Sequence, residues 1–234
     1  MNESGIVLYM IPTIVAEGTD QDVISPQIKD IISNLNVFFV ENIRTSRRFI
    51  SSLKLGRIID EMIFIELNKD TPESVTAEEL KKLRQNAGVI SEAGCPGVAD
   101  PGAVAVNIAH QLGIRVVPLV GPSSLLLALM ASGMSGQSFA FHGYLPIDKA
   151  QRKTKIQMLE REARQRQQTQ LFMETPFRNN QLLEALLENC MQDTLLCVAC
   201  NVTAEDEFIK TKTIKSWKAE LPDLHKKPTI FLIG

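Results

Sequence analysis

The sequence predicts an α/β protein built from two domains. Short apolar runs alternate with helix-type segments through the first half of the chain, which favours a mostly parallel sheet. After Gly121 and Pro122 the spacing becomes hairpin-like, which favours a mixed sheet. Because 234 residues suffice for two small cores, we predict an N-terminal α/β domain of residues 1–121 and a C-terminal α/β domain of residues 122–234.

The N-terminal half reads as strands and helices in alternation. The expected strands are 5–12, 37–41, 62–67, 88–91 and 114–118, and the expected helices are 23–35, 45–53, 76–85 and 103–112. Thr76 is predicted to be the N-cap of the third helix, because Glu79 three residues later completes a capping-box pattern.

The C-terminal half contains three expected helices, 123–131, 148–168 and 180–190, and five expected strands, 139–142, 171–174, 195–202, 208–213 and 229–233. Cys197 and Cys200 match a C-x-x-C pattern inside one of these strands. Residues three apart on a strand point to opposite faces, so these two sulfurs are not expected to share a metal. The sequence predicts no metal site.

Composition limits the possible partners and location. The chain has 25 Lys and Arg against 27 Asp and Glu, a formal charge of -2, so any contact with nucleic acid must be local. The longest apolar run, Leu125 to Ala131, is too short to span a bilayer, and Met1 to Tyr9 lacks the features of a signal peptide. We therefore expect a cytoplasmic protein that makes no contact with membranes.

Two loops at the carboxyl ends of predicted strands are chemically unusual. Ser91 to Gly102 holds three glycines and two prolines, so that its backbone can approach a ligand closely, and Val120 to Ser124 opens a helix. The first loop carries Glu92 and Asp100 but no Lys or Arg, and residues 119–134 carry no charge, which disfavours a phosphate. A cationic ligand or a neutral purine fits better, and S-adenosylmethionine is both. A tight turn without a ligand is the alternative for loops of this shape.

Five motifs resemble those of the tetrapyrrole methylase superfamily, nearest its branch of ribosomal RNA small-subunit cytidine 2'-O-methyltransferases. They are LYMIPT (8–13), SEAGCPGVADPG (91–102), LVGPSS (119–124), FHGYLP (141–146) and METPFR (173–178). Their order and spacing agree across nearly the whole chain. The resemblance implies two α/β domains with S-adenosylmethionine in the cleft between them, methyltransferase activity and a homodimer.

The same resemblance assigns residues to the cofactor site by position. It implies that the backbone of the first loop borders the cofactor, with partners on the second loop, after the first strand and on a second-domain strand. The residues concerned are Val15, Gly94, Cys95, Val98, Ser123, Ser124 and Met173. Cys95 stands where the ribosomal RNA branch commonly has threonine. An ordinary core position is the alternative for Met173.

Two segments depart from the branch. Val15 to Asp22 lacks its usual Gly-Asn-Leu and Asp-Ile-Thr elements, and Glu41-Asn-Ile-Arg44 replaces Glu-Asp-Thr-Arg. These changes lie on the substrate side, so the methyl acceptor stays open between RNA and a small molecule. We expect the chain not to replace a ribosomal RNA cytidine 2'-O-methyltransferase efficiently. A non-catalytic, cofactor-binding or regulatory module on the same fold is the alternative to an enzyme.

Methyl transfer from a sulfonium is an in-line displacement that needs alignment and desolvation but no metal. A hydroxyl acceptor would benefit from a base, and the candidate carboxylates are Glu41, Asp100 and Glu174, each of which could equally be a cap or an ion-pair partner. Arg44 and Arg178 are candidate anchors for an anionic substrate, with a salt bridge as the alternative. A basic segment within residues 149–166 could follow an RNA backbone or be a solvated helix face.

Overall fold

The computed structural model describes residues 5–234, so the first part of the Met1 to Tyr9 segment lies outside the described residues. The chain forms two compact units, Met1–Ser123 and Ser124–Gly234. This division falls two residues after the boundary predicted from the sequence. Within the described residues, no helix has both the length and the apolar character needed to cross a membrane.

The N-terminal unit contains a five-stranded sheet in which every strand is parallel to its neighbours, in the order β3-β2-β4-β1-β5. The strands are β1 (Val7–Ile11), β2 (Val37–Val40), β3 (Ile63–Glu66), β4 (Ala87–Ile90) and β5 (Arg115–Pro118). The helices are α1 (Asp20–Val23), α2 (Pro26–Asn34), α3 (Ile43–Ser52), α4 (Glu73–Lys82) and α5 (Gly102–Gln111), with a single 3-10 turn at Ile59–Glu61. The predicted parallel sheet is confirmed.

Apolar cores cover both faces of this sheet. On one face β1, β2 and β4 pack against α4 and α5, and on the other they pack against α2 and α3. All four residues of β2 and all four of β4 are buried, as expected for inner strands covered on both sides. The carboxyl ends of β2, β4, β1 and β5 therefore lie side by side on one edge of a rigid sheet.

The boundaries predicted for two helices in this unit were wrong. The helix predicted over 76–85 begins at Glu73 with Pro72 as its N-cap, and Thr76 is a buried residue inside it. An acidic residue in the first turn and burial of Thr76 outweigh the capping-box pattern. The helix predicted over 23–35 is divided at Ser25, whose hydroxyl accepts the Ile28 N–H at 3.4 Å, because Pro26 favours the first position of a new helix.

The C-terminal unit contains a five-stranded mixed sheet in the order β6-β7-β10-β8-β9, in which only the β6–β7 pair is parallel. The strands are β6 (Phe139–Tyr144), β7 (Thr169–Met173), β8 (Leu195–Cys200), β9 (Phe208–Thr213) and β10 (Thr229–Ile233). The helices are α6 (Ser124–Ser132), α7 (Lys149–Arg166), α8 (Asn179–Asn189) and α9 (Ile214–Trp217). The mixed sheet predicted for this half is confirmed.

Helices cover both faces of this second sheet as well. α7, α8 and α9 pack on one face, and α6 packs on the other. Cys200 lies in the core on the face covered by α7, α8 and α9, and Cys197 lies in the core on the α6 face. The opposite orientation predicted for the two thiols is therefore confirmed. The helix predicted over 180–190 is α8, on which Leu182, Leu183, Leu186 and Leu187 are buried.

The basic helix α7 has one buried side and one solvated side. Ile156 and Leu159 are fully buried, and Glu160 is buried too, where it accepts hydrogen bonds from the Met191 N–H at 2.7 Å and from the Thr194 hydroxyl. Arg152 is also buried, whereas most of the remaining basic side chains of α7 are exposed. The solvated face proposed from the sequence therefore describes one side of α7.

Candidate active site

The glycine-rich loop after β4 is held against the loop after β1 by backbone hydrogen bonds. The Thr13 N–H donates to the Gly94 carbonyl oxygen at 2.9 Å, and the Gly94 N–H donates to the Ile14 carbonyl oxygen at 3.4 Å. The Ser91 hydroxyl lies 3.3 Å from the Gly94 carbonyl oxygen and so fixes the first turn of the loop. Both loops begin at neighbouring strands of the sheet, which is why these backbone groups meet.

Asp100 shapes the second part of the same loop. Its Oδ1 accepts the N–H groups of Gly97 at 2.6 Å and Gly102 at 2.7 Å. Gly97 has a φ of +84°, a left-handed conformation that favours glycine. A Cβ on Gly102 would lie 2.8 Å from the Gly97 nitrogen, so this position also requires glycine. The side chain of Asp100 is therefore a scaffold for the loop, which is one of the alternatives considered for it above.

The loop after β5 closes on the glycine-rich loop. The Cys95 thiol lies 3.3 Å from the Pro122 carbonyl oxygen, to which it donates. A Cβ on Gly121 would lie 2.2 Å from the Cβ of Pro12, so only glycine allows this approach to the end of β1. A Cβ on Gly94 would reach the Pro122 oxygen at 3.5 Å and the Val15 side chain at 3.8 Å.

Three residues that the resemblance assigns to the cofactor, Val15, Gly94 and Cys95, therefore lie together in the N-terminal unit. Val98 lies farther along the loop and is 50% exposed. Ser123 is the last residue of this unit, and Ser124 begins α6 in the next one. Met173 ends β7 and packs partly against the core on the α6 face, as the core alternative for this residue predicts.

Glu41 follows β2 and reaches the glycine-rich loop. Its Oε2 accepts the Glu92 N–H at 3.2 Å, and the Thr45 hydroxyl lies 3.3 Å from Oε1 of Glu92. Burial raises the pKa of Glu41, and the nearby carboxylates of Asp100 and Glu92 add to this effect. Burial also raises the pKa of Asp100, although the amides of Gly97 and Gly102 oppose it. Acidic groups therefore dominate the electrostatics of these loops.

Glu174 and Arg178 form an ion pair with each other. The Glu174 side chain is fully buried after β7, and its Oε1 accepts from Arg178 at 2.6 Å and from the Thr175 N–H at 2.6 Å. Burial opposes ionisation of Glu174, but the guanidinium and the Thr175 groups together outweigh it and lower the pKa of this carboxyl. These two residues therefore form the salt bridge that was the alternative to a catalytic or substrate-binding role. Arg44 is exposed in the first turn of α3.

A cavity of about 350 Å³ lies beside these loops within the N-terminal unit. One wall is the segment after β1 that departs from the ribosomal RNA branch, and another is α3. The polar and charged side chains that line the cavity are Thr13, Glu17, Asp20, Thr45, Ser46, Arg48, Ser52, Ser91 and Glu92. The sequence reasoning did not identify the α3 residues, although hydroxyl side chains after the Asn42 N-cap were a signal that could have found them.

Fold and loops together define the class: an α/β protein of two sheets whose parallel sheet carries a glycine-rich loop with acidic side chains at the carboxyl ends of its strands. Residues 13–217 match the family of Tetrapyrrole (Corrin/Porphyrin) Methylases. The chain belongs to this family and is a methyltransferase.

The chain is similar to known proteins over most of its length. The chain is 30% identical over 239 residues to Ribosomal RNA small subunit methyltransferase I of Buchnera aphidicola subsp. Schizaphis graminum, covering 100% of this chain and 79% of that protein. The protein of the same name from Vibrio cholerae is 26% identical over 230 residues, 97% of this chain and 76% of its own length. A crystal structure of diphthine synthase superposes with a TM-score of 0.67 at 13% identity, covering 97% of this chain and 89% of that one, and shares the fold.

Proposed function

We propose that the chain uses S-adenosylmethionine as methyl donor and RNA as methyl acceptor. The observation that carries the RNA proposal is the similarity to ribosomal RNA small subunit methyltransferases along nearly the whole chain. The same similarity favours an enzyme over the non-catalytic module that the departures at Glu41–Arg44 left open.

The loops of the N-terminal unit fit the chemistry of this donor. Gly94 and Gly97 have φ of +70° and +84°, so the loop turns tightly and presents backbone groups rather than side chains at these positions. The loop has no Lys or Arg, and its ionisable side chains include the carboxyls of Glu92 and Asp100, with the carboxyl of Glu41 beside them. Acidic surroundings favour a cation and disfavour a free phosphate. S-adenosylmethionine supplies an activated methyl group on a positively charged sulfonium.

By family resemblance, the backbones at Gly94, Cys95 and Val98 and the side chain of Val15 would border the donor in the N-terminal unit. The resemblance also assigns Ser123, Ser124 and Met173 to the cofactor. Their proposed tasks are to orient the donor and to exclude water, which is most of what a methyl transfer needs from a protein.

We place the acceptor in the cavity beside α3. Its volume of about 350 Å³ is within the usual range for small-ligand pockets and suits a nucleoside. Arg48 on its wall can pair with a phosphate, while Thr45 and Ser46 offer hydroxyl groups. Glu41 holds the amide of Glu92 at the cavity wall, and its raised pKa suits a proton acceptor for a hydroxyl group.

Methyl transfer from labelled S-adenosylmethionine tests the proposed acceptor. The purified protein is incubated with undermethylated small ribosomal subunits, with protein-free RNA from them, and with a small-molecule extract. Site-specific label in RNA supports the proposal, and efficient labelling would overturn the expectation that the departures impair replacement of the ribosomal RNA enzyme. Label confined to small molecules refutes the RNA proposal. Light scattering on the same sample tests the proposed homodimer.

A further inference from the structure

The turn that follows β7 carries an exposed aromatic side chain. Phe177 is 66% exposed, although it lies in a turn whose other features are well ordered by hydrogen bonds. A phenylalanine side chain gains about 2 kcal/mol by burial, so a partner that covered the Phe177 ring would gain up to about that much.

The turn that carries Phe177 is fixed by the segment before β10. The Lys226 N–H donates to the Pro176 carbonyl oxygen at 3.0 Å, and the side-chain amide of Asn179 donates to the Lys227 carbonyl oxygen at 2.7 Å. Asn179 is fully buried, and Leu224 N–H donates to Asn180 at 2.8 Å. β7 and β10 are antiparallel neighbours, which brings these two segments to one end of the sheet.

Cationic and aromatic groups surround the Phe177 ring. The Lys226 ammonium lies 6.0 Å from the ring centroid, and the His225 ring meets the phenyl ring edge-on at 6.1 Å. Lys226 has a φ of +60°, an uncommon conformation for a residue with a side chain, and in it the ammonium stands over the ring. Tyr144, 58% exposed, pairs with Met173 at the same end of the sheet.

The charged group that lies over the Phe177 ring is a cation. Lys226 and Lys227 are neighbours in the segment before β10, and the one carboxylate that faces the turn from β7, Glu174, is neutralised by Arg178. Asp223 accepts from the side chain of Asn180 and from the His225 N–H. The loop after β8, whose Asn201 N–H donates to the Pro228 carbonyl oxygen, carries Glu205, Asp206 and Glu207. Among the described residues, this end of the sheet therefore combines exposed rings with lysine side chains.

We propose that Phe177 is a stacking platform for an unpaired base of the RNA substrate and that Lys226 binds the adjacent phosphate. The proposal rests on the proposed RNA acceptor and adds a binding site for nucleotides outside the methylated one. Aromatic rings flanked by cations are how proteins hold single strands with little sequence preference, since every base has a face to stack. The alternative occupant of an exposed ring, a second copy of this chain, is an outcome of the test.

Fluorescence anisotropy with a labelled 12-nucleotide RNA of mixed sequence, at saturating S-adenosylhomocysteine, tests the platform in the full-length protein. Phe177→Ala is expected to weaken RNA binding about tenfold, and Phe177→Trp to retain it, because stacking on an aromatic ring commonly contributes that much. Lys226→Asn keeps a residue that tolerates the left-handed conformation, and it is expected to reduce the salt dependence of binding by about one phosphate contact.

Phe139→Ala is the matched control, since Phe139 is an exposed phenylalanine at the other end of β6. It should bind RNA like the wild type, and S-adenosylhomocysteine affinity should be unchanged in every variant. If the wild type binds and methylates RNA but Phe177→Ala binds it equally well, the platform is wrong and the RNA acceptor stands. If the wild type binds no RNA, both the stacking platform and the RNA acceptor are refuted. If Phe177→Ala changes the oligomeric state and not RNA affinity, the surface joins copies of the chain.

Discussion

The Arg178 guanidinium donates to Oε1 of Glu174 at 2.6 Å, and the acidic partner is fully buried while about a third of the arginine side chain is exposed. Glu174 also accepts the Thr175 N–H, so the pair fixes the turn after β7. Ionised and already paired, Glu174 is poorly suited to take a proton from a substrate.

Arg178→Ala should destabilise the C-terminal unit, because it leaves a buried carboxylate without its cation. Glu174→Gln combined with Arg178→Ala should be less destabilised than Arg178→Ala alone. Urea denaturation measures both. The lowered pKa of Glu174 predicts that the pair stabilises the wild type above the usual carboxyl pKa of 4.5 and that this contribution is lost as the pH falls below it. Equal stability of the two variants would show that Glu174 does not depend on Arg178.

Asp100→Ala and Asp100→Asn separate loop shape from charge. Alanine removes the oxygen that accepts from Gly97 and Gly102, and it should lower the free energy of unfolding by about 1–3 kcal/mol. Asparagine keeps an acceptor oxygen and should cost less. If the two substitutions destabilise the protein equally, the two hydrogen bonds do not hold the loop.

The pH dependence of Asp100 has a definite sign. Because folding raises its pKa above 3.8, the folded protein binds its proton more tightly than the unfolded chain does. The free energy of unfolding contributed by this group therefore falls as the pH rises from 3.8 through the raised pKa of the folded protein. The stability of the wild type relative to Asp100→Asn should decline in urea titrations as the pH rises above 3.8. A constant difference across this range would contradict the raised pKa.

Glu41→Gln tests the proposed proton acceptor. The substitution should lower kcat about a hundredfold or more if the acceptor is a hydroxyl group, while affinity for S-adenosylhomocysteine changes little. In the wild type kcat should rise with pH through the raised pKa of Glu41, above its usual 4.5, and this limb should be absent in the variant. A kcat within threefold of the wild type would exclude Glu41 as the base.

Gly97→Leu tests whether the glycine-rich loop holds the donor. Leucine would lie against the loop and should abolish S-adenosylhomocysteine binding in calorimetry. Gly113→Leu is the matched control, because Gly113 has a similar φ of +68° but open space around it. Both variants should lose about 1–2 kcal/mol of stability through backbone strain, yet only Gly97→Leu should lose the ligand. Normal binding by Gly97→Leu would place the donor elsewhere.

Binding of the donor should also be independent of metal. Calorimetric titration of the wild type with S-adenosylmethionine and with S-adenosylhomocysteine in the presence of a chelator should give heat and a rise in Tm with either ligand. Absence of both signals up to about millimolar ligand, a range in which even weak sites bind, would refute the proposed cofactor.

Local pattern determined much of the fold. Strands β9 and β10 begin and end where alternation and apolar runs predicted, and the opposite orientation of Cys197 and Cys200 follows from the period of a strand. The glycines also predicted the loop after β4, because positive φ and close backbone approach are requirements of the local backbone.

Only tertiary structure decided how side chains distant in sequence meet. The capping pattern at Thr76 failed because burial in the core competes with a local signal. From the sequence, Glu41, Asp100 and Glu174 are equivalent candidate bases, whereas packing raises the pKa of Glu41 and Asp100 by burial and the Arg178 pair lowers that of Glu174. Lys226 comes to stand over Phe177 through the pairing of β7 with β10, a contact between segments about fifty residues apart that no local periodicity encodes.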